Sequence, residues 1–345
     1  MAKKVAFITG INGQDGSYLA ALLLEKGYEV HGLIRRTTNE PAGYLNDIFL
    51  GKEVIIHYGS LQDSNRISAL MQEIKPDEVY NLAAQSHVGI SFKCPDETWD
   101  INYYGVARIV NEALKVNPHV KIYQASTSEM FGNSPSPQNE LTPFSPQSPY
   151  AEAKMRAHQD FIVNKRNTMN AFTVSGILFN HESPRRGRQF VTRKITLSLA
   201  KIAAGLESCL ELGNLNATRD WGHAEDYVRA MHLMLQQEKP EDFVVASGES
   251  HSVRDFVSIA AKHFAMDIAW EGENESEIGK DTKTGEIIVR VNPEFYRPRE
   301  VNFLQGDASK AKSVLGWQQQ YSFEDLVTSM VISDKALVAK EYPEK

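Results

Sequence analysis

Only two cysteines, Cys94 and Cys209, occur in the 345 residues of this chain. They stand too far apart for a metal knuckle or a redox pair, and are too few to build a disulfide scaffold. Their scarcity fits a reducing, cytoplasmic setting. The histidines show no metal-ligand spacing, so no metal is expected. Apolar runs long enough to cross a bilayer are also missing. The short run behind the N-terminus enters a strand pattern at once, which argues against a signal peptide or a membrane partner. Basic residues number 37 against 44 acidic ones, a formal net charge of -7, so nothing points to nucleic acid as a partner. Internal repeats are absent too. What is present is a chain that is 42% hydrophobic, long enough for one large domain or two intimate ones.

The first half alternates short apolar runs with helical spacing. Val5 to Thr9, Glu29 to Ile34, Val54 to His57, Glu78 to Leu82, Val120 to Ala125 and Phe172 to Leu178 read as strands. Between them, helices are expected over Ser17 to Lys26, Asn65 to Ile74 and Ile101 to Lys115, the first ended by Gly27 and the second before Lys75-Pro76. Such alternation makes an α/β fold with a doubly wound, parallel sheet of Rossmann type. A proline-rich loop from Ser134 to Pro149 precedes a helix that carries Tyr150. Beyond Leu178 the pattern loosens, with short strands expected at Ser208 to Leu212 and Phe243 to Ala246. The division expected is a dinucleotide-binding domain over 1–179, with some later segments returning to it, and a smaller α/β substrate domain over 180–345.

Ligands of doubly wound sheets bind at the carboxyl ends of the strands, and three motifs fall at that edge. Gly10-Ile-Asn12-Gly13-Gln14-Asp15-Gly16 follows a strand and opens a helix, the context a dinucleotide fingerprint requires. Gly10 permits the tight turn, Gly13 lets the backbone approach a pyrophosphate, and Gly16 allows close helix–sheet packing. The helix N-terminus adds N–H groups and partial positive charge. Leu82-Ala83-Ala84-Gln85-Ser86 ends another strand. At the end of the second strand stand Arg35 and Arg36, with no carboxylate for a ribose 2′-hydroxyl, which favours a 2′-phosphate and hence NADP.

The third motif is Tyr150-x-x-x-Lys154, preceded by Ser126-Thr127-Ser128-Glu129. Residues at i and i+4 share a helical face, so the Lys154 ammonium can sit beneath the Tyr150 phenol and favour the phenolate. That pair can take a proton from an alcohol, with Thr127 hydrogen-bonded to the same hydroxyl. Glu129 is a second base, which simple alcohol oxidation does not need. Plainer readings exist for each residue: an ordinary glycine turn, a solvated arginine pair, and strand-end capping by Thr127, Ser128 and Glu129.

Longer matches go further. Leu178-Phe-Asn-His-Glu-Ser-Pro-Arg-Arg-Gly187, Phe190-Val-Thr-Arg-Lys194, Leu212-Gly-Asn-Leu215, Arg219-Asp-Trp-Gly-His223 and Tyr296-Arg-Pro-Arg-Glu-Val301 make the chain resemble the extended short-chain dehydrogenases/reductases. Within these it is similar to the GDP-mannose 4,6-dehydratase family over most of its length. The resemblance implies that Ser86, Ser128, Asn180, Phe190, Val191, Lys194, Gly213, Arg219, Arg297 and Glu300 bind a GDP-sugar. It places His181 and Arg186 on the cofactor side with Lys154, and Ser60 and Leu61 near the adenine. It also implies a homodimer or homotetramer. Two departures stand out: Thr37-Thr-Asn-Glu-Pro-Ala-Gly43 replaces a serine-rich segment, and Ser60 stands where the family pattern has Asp.

The expected reaction is dehydration of GDP-mannose to GDP-4-keto-6-deoxymannose: C4 oxidation, elimination of water across C5 and C6, and reduction at C6. Dehydration of a related GDP-sugar such as GDP-manno-heptose would use the same residues. A nucleotide-sugar 4-epimerase or decarboxylase would need Tyr150 and Lys154 without Glu129 as eliminating base. A non-catalytic NADP-sensing protein would need neither Tyr150 nor Lys154.

Overall fold

The computed structural model describes residues 3–36, 54–295 and 303–343. The chain forms two compact units. The first comprises Met1–Phe179, Ala224–Ala246 and Gly306–Gln318, and the second Asn180–His223, Ser247–Gln305 and Gln319–Lys345.

In the first unit, β1 (Val5–Thr9), β2 (Glu29–Ile34), β3 (Val54–Tyr58), β4 (Glu78–Asn81), β5 (Lys121–Thr127) and β6 (Thr173–Leu178) join the strand Phe243–Val245 in one sheet. Its order is β3-β2-β1-β4-β5-β6 and then Phe243–Val245, with every pairing parallel. All residues of β4 and β6 are buried, as strands covered by helices on both faces must be. The strand order reverses between β1 and β4, and this switch point opens the carboxyl edge for a ligand. Helix Ser64–Ile74 and helix Gly105–Val116 cover one face through Ile67, Leu70, Met71, Ile109 and Val110, packed with Phe7, Val79 and Ile122. No helix among the described residues is long and apolar enough to cross a membrane.

Element boundaries shift where local chemistry overrides hydrophobic spacing. The first helix begins at Gln14, not Ser17, because Gly13 in extended conformation already serves as its N-cap and Gly16 is absorbed into its first turn. Ile101 does not start a regular helix: Asp100–Tyr104 forms a π-helical turn that runs on from Pro95–Trp99 into Gly105–Val116. β5 extends two residues past Ala125, so Thr127 ends a strand and Ser128–Met130 form a single 3-10 turn.

At the opposite, amino edge of the sheet, the Glu78 carboxylate is 1% exposed and accepts from Tyr80 (2.8 Å), Lys4 (3.1 Å), Gln236 (3.1 Å) and Tyr28 (3.2 Å). Lys4 is half exposed, so its ion pair contributes little. The tyrosine hydroxyls are buried, and an unsatisfied buried hydroxyl costs about 1–3 kcal/mol. Glu78→Ala is therefore expected to destabilise the protein by about 2–4 kcal/mol, read as a lower urea midpoint. A midpoint unchanged from the native protein would show that water replaces the carboxylate without cost.

The second unit holds a three-stranded sheet, Ser250–Ser252, Thr218–His223 and Asn180–Glu182. It also has a four-stranded sheet of Ile268–Glu271, Ile278–Asp281, Ile287–Val291 and Leu210–Leu212. Helices Val191–Ala203, Val253–Lys262 and Phe323–Glu341 enclose its core of Ile195, Leu199, Trp221, Phe256, Phe323 and Met330.

Candidate active site

The carboxyl edge of β1 is drawn tight by glycine. Gly10 has φ +69°, and a Cβ there would stand 3.0 Å from the Ala83 backbone. A Cβ on Gly16 would stand 2.3 Å from the Gly10 carbonyl oxygen, so the helix Gln14–Glu25 could not approach β1 with any side chain at that position. Gly13 is exposed and its N–H donates to Gly10 O at 2.9 Å. This cradle, with backbone at its rim and a helix N-terminus behind it, fits the pyrophosphate of a dinucleotide. Asn12 and Asp15 are half-buried and Gln14 is buried, its amide donating to Asp15 at 3.1 Å.

Leu82, Ala83 and Ala84 leave β4 beside the cradle, half-buried, and Ser86 is exposed. The N–H groups of Leu82 and Ala83 both donate to Thr9 Oγ1 at 3.1 Å. Asn102, in the π-helical turn, holds Gln85 from both sides, accepting from its N–H and donating to its carbonyl at 2.9 Å. Arg35 and Arg36 are exposed beyond the end of β2. Ser60 follows β3, and the buried Leu61 is fixed by an Arg108 guanidinium donating to its carbonyl at 3.0 Å.

The candidate reacting groups stand at the end of β5 and on the helix Pro149–Ala157. Ser148 caps that helix, accepting from the Ala151 N–H at 3.1 Å, and Pro149 occupies its first turn, so Tyr150 enters on a fixed backbone. Tyr150 and Lys154 share a face, with the Lys154 ammonium 6.0 Å from the tyrosine ring centroid. Lys154 is 4% exposed and donates to the Ala125 carbonyl at 2.9 Å. Burial pushes its pKa down from 10.5 to about 8. Thr127 Oγ1 accepts from the Glu129 N–H at 3.2 Å and, as acceptor there, keeps its own hydroxyl proton to donate. Capping and substrate contact are thus compatible roles for Thr127. Ser128 is buried and Glu129 half-buried on the turn that follows.

A buried polar chain runs beneath these groups. Thr9 donates to Asn81 (2.6 Å), Asn81 to Gln124 (2.7 Å), and Gln124 to the Ala125 carbonyl (2.8 Å) that also receives Lys154. Thr9, Asn81, Gln124 and Asn102 were not among the candidates taken from sequence. Their only signal there is a polar residue inside an otherwise apolar strand or helix.

In the second unit, Asn180 and His181 are half-buried on a strand that runs parallel to Thr218–His223, and Asn180 pairs with Trp221. Arg219, on the partner strand, is buried and donates to the Thr218 carbonyl at 2.9 Å. Phe190 caps the helix that carries Val191 and Lys194, and the Arg186 guanidinium lies 3.6 Å from its ring centroid. The Lys194 ammonium lies 3.8 Å from the ring centroid of Phe295, and a Cβ on Gly213 would stand 2.9 Å from the Phe295 carbonyl. Phe295 is a neighbour of two candidates that no motif had marked. Burial lowers the Lys194 pKa, against the nearby Glu211 and Glu207 carboxylates. Arg297, Glu300 and the segment Thr37 to Gly43 lie outside the described residues. No His, Cys, Asp and Glu cluster able to hold a metal occurs among the described residues.

Residues 7–330 match the family model described as GDP-mannose 4,6 dehydratase. The chain belongs to this family. It is 52% identical over 347 residues to the GDP-mannose 4,6 dehydratase of Cricetulus griseus, covering 97% of this chain and 92% of that protein. The enzyme of the same name from Vibrio cholerae is 48% identical over 350 residues, covering 96% and 94%. Among solved structures, the UDP-glucose 4-epimerases of Thermotoga maritima and Thermus thermophilus superpose with TM-scores of 0.80 and 0.79. Each is 21% identical, covering 97% and 96% of this chain and 99% of the other. At that identity they establish the shared fold.

Proposed function

We propose that this protein dehydrates GDP-mannose to GDP-4-keto-6-deoxymannose, a step in deoxysugar nucleotide biosynthesis, with NADP as a cofactor not consumed overall. The observation that carries this reading is Glu129, on the turn that follows Thr127 at the end of β5, in the same unit as a buried Lys154 and Tyr150 on one helical face. Bound in the Gly10 to Gly16 cradle, a nicotinamide dinucleotide supplies a reversible hydride acceptor. Tyr150, favoured as phenolate by the Lys154 ammonium, takes the 4-hydroxyl proton while Thr127 donates to the sugar oxygen. The C4 ketone acidifies C5–H, and Glu129 removes that proton. The same carboxyl then protonates the departing 6-hydroxyl, so water leaves and the electrons of the C5–H bond form the C5–C6 double bond. Reduction at C6 and reprotonation at C5 complete a redox-neutral turnover.

In this reading Ser86, Ser128, Asn180, Phe190, Val191, Lys194, Gly213, Arg219, Arg297 and Glu300 contact the GDP-sugar. His181 and Arg186, with Ser60 and Leu61, contact the cofactor. The cations suit a pyrophosphate. Mass spectrometry of GDP-mannose incubated with the protein and catalytic NADP is expected to show loss of one water with no net reduced cofactor. An unchanged sugar nucleotide would count against the reading.

The NADP preference rests on Arg35 and Arg36. Replacing both with alanine is expected to weaken NADP binding by about tenfold or more, since charge-assisted hydrogen bonds contribute about 1.5–3 kcal/mol each, with NAD affinity unchanged in titration calorimetry. Equal NADP affinity before and after would remove the basis for that preference. The reading further includes a cytoplasmic location and a homodimer or homotetramer, the latter read by light scattering.

A further inference from the structure

A buried ion pair stands in the second unit where the helices Val191–Ala203 and Phe323–Glu341 pack together. Asp334 is 0% and Arg193 4% exposed. Taking both charges out of water is costly, and an apolar pair would serve packing as well. Stability alone is therefore a poor reason for it. The geometry of the guanidinium suggests another. Asp334 accepts from Arg193 Nε at 2.7 Å and lies 2.6 Å from one terminal nitrogen, while its other oxygen accepts from Thr196 at 2.6 Å. The remaining terminal nitrogen, Nη1, is aimed at the loop between Glu182 and Val191. There it donates to the Pro184 carbonyl and, at 3.2 Å, to the Arg186 carbonyl.

The same loop is held at other points. The Arg186 side chain lies between the Phe190 ring and the Glu182 carboxylate, 2.9 Å from the latter. Glu182 is buried and also accepts from Thr192 at 2.7 Å. Arg188 bonds Glu341 at 2.7 Å, tying the loop to the same C-terminal helix, although this exposed pair is weak.

We propose that Asp334 is a positioning residue: by fixing the Arg193 fork it sets the backbone of the loop Ser183–Phe190, and with it the placement of Arg186 and Phe190. Its consequence for turnover rests on the reading above, in which Arg186 and Phe190 touch the bound nucleotides. Asp334→Asn keeps the shape and removes the charge that orients Arg193. The loop sequence Arg185-Arg186-Gly187-Arg188 supplies its own probe, because trypsin cleaves after these residues once the backbone loosens.

In the full-length, ligand-free protein, Asp334→Asn is expected to accelerate native-state cleavage at those bonds by about tenfold or more. It is expected to raise KM for GDP-mannose by a similar factor with kcat within about threefold, since small misplacements of binding groups are this costly. A lowered Tm with unchanged loop cleavage and unchanged KM would overturn the proposal and leave the pair merely structural. Should Asp334→Asn fail to fold, Arg193→Lys keeps a charge partner for Asp334 but loses the fork. The same pattern is expected there, and wild-type cleavage and KM would overturn the proposal. If the native protein turns over no GDP-mannose, the functional reading falls, while the trypsin comparison still decides whether Asp334 sets the loop.

Discussion

Glu129→Gln protein is expected to oxidise C4 of GDP-mannose and stop there. Glutamine preserves the length and shape of the side chain on the turn after Thr127, whose hydroxyl accepts from the residue 129 N–H in either case. It cannot take the C5 proton. Tyr150 and Lys154 are untouched, so the first oxidation proceeds and reduced nicotinamide accumulates to about one equivalent of enzyme. Overall turnover should fall by about 10²–10⁴-fold, the usual worth of a positioned proton-transfer group. Stopped-flow absorbance near 340 nm separates the two halves of the reaction. A variant that turns over within a few-fold of the native rate would show that another group removes the C5 proton.

Lys154→Met separates stability from activity in the opposite sense. The native lysine is held almost fully buried, and burial lowers its pKa from 10.5 to about 8. At about 1.36 kcal/mol for each tenfold change in the proton equilibrium, this corresponds to about 3 kcal/mol of folding free energy lost at neutral pH. The direction follows from proton counting. Below pH 8 the ammonium is charged in both states and the desolvation cost is fully present. As pH rises from about 8 towards 10.5 the native lysine gives up its proton first, the cost fades, and stability increases. Ligand-free Lys154→Met should therefore be more stable than the native protein at pH 7 by up to about 3 kcal/mol, a gap that narrows above pH 8. Its activity should be lost, because Tyr150 then has no cation beside it to favour proton loss. A variant less stable than the native protein at every pH would show that the bond to the Ala125 carbonyl outweighs the burial penalty.

These two residues show how much of the site was legible in the chain. Tyr150 and Lys154 depend only on helical spacing, and Gly10, Gly13 and Gly16 only on a strand–turn–helix context, so both motifs were readable without three-dimensional information. The parallel, doubly wound sheet was likewise readable from the alternation of buried strands and helices. The polar chain from Thr9 to Lys154 was not. Thr9 lies opposite Asn81, and Asn81 opposite Gln124, in the paired registers of β1, β4 and β5. Register is a property of the assembled sheet, and a one-residue slip would have turned any of these side chains to the other face. Asn102 was hidden for a related reason. It projects from a π-helical turn, and hydrophobic spacing carries no mark of the extra residue such a turn inserts. The Arg193 pairing with Asp334 joins residues 141 apart in the chain, beyond the reach of any local pattern.

Elimination of water from GDP-mannose through C5 proton removal is visible in a single proton NMR experiment. The purified protein is incubated with GDP-mannose and catalytic NADP in heavy water, and the sugar resonances are followed. A new C6 methyl signal is expected, with deuterium incorporated at C5. An intact mannose spectrum from protein that binds NADP tightly would contradict this elimination.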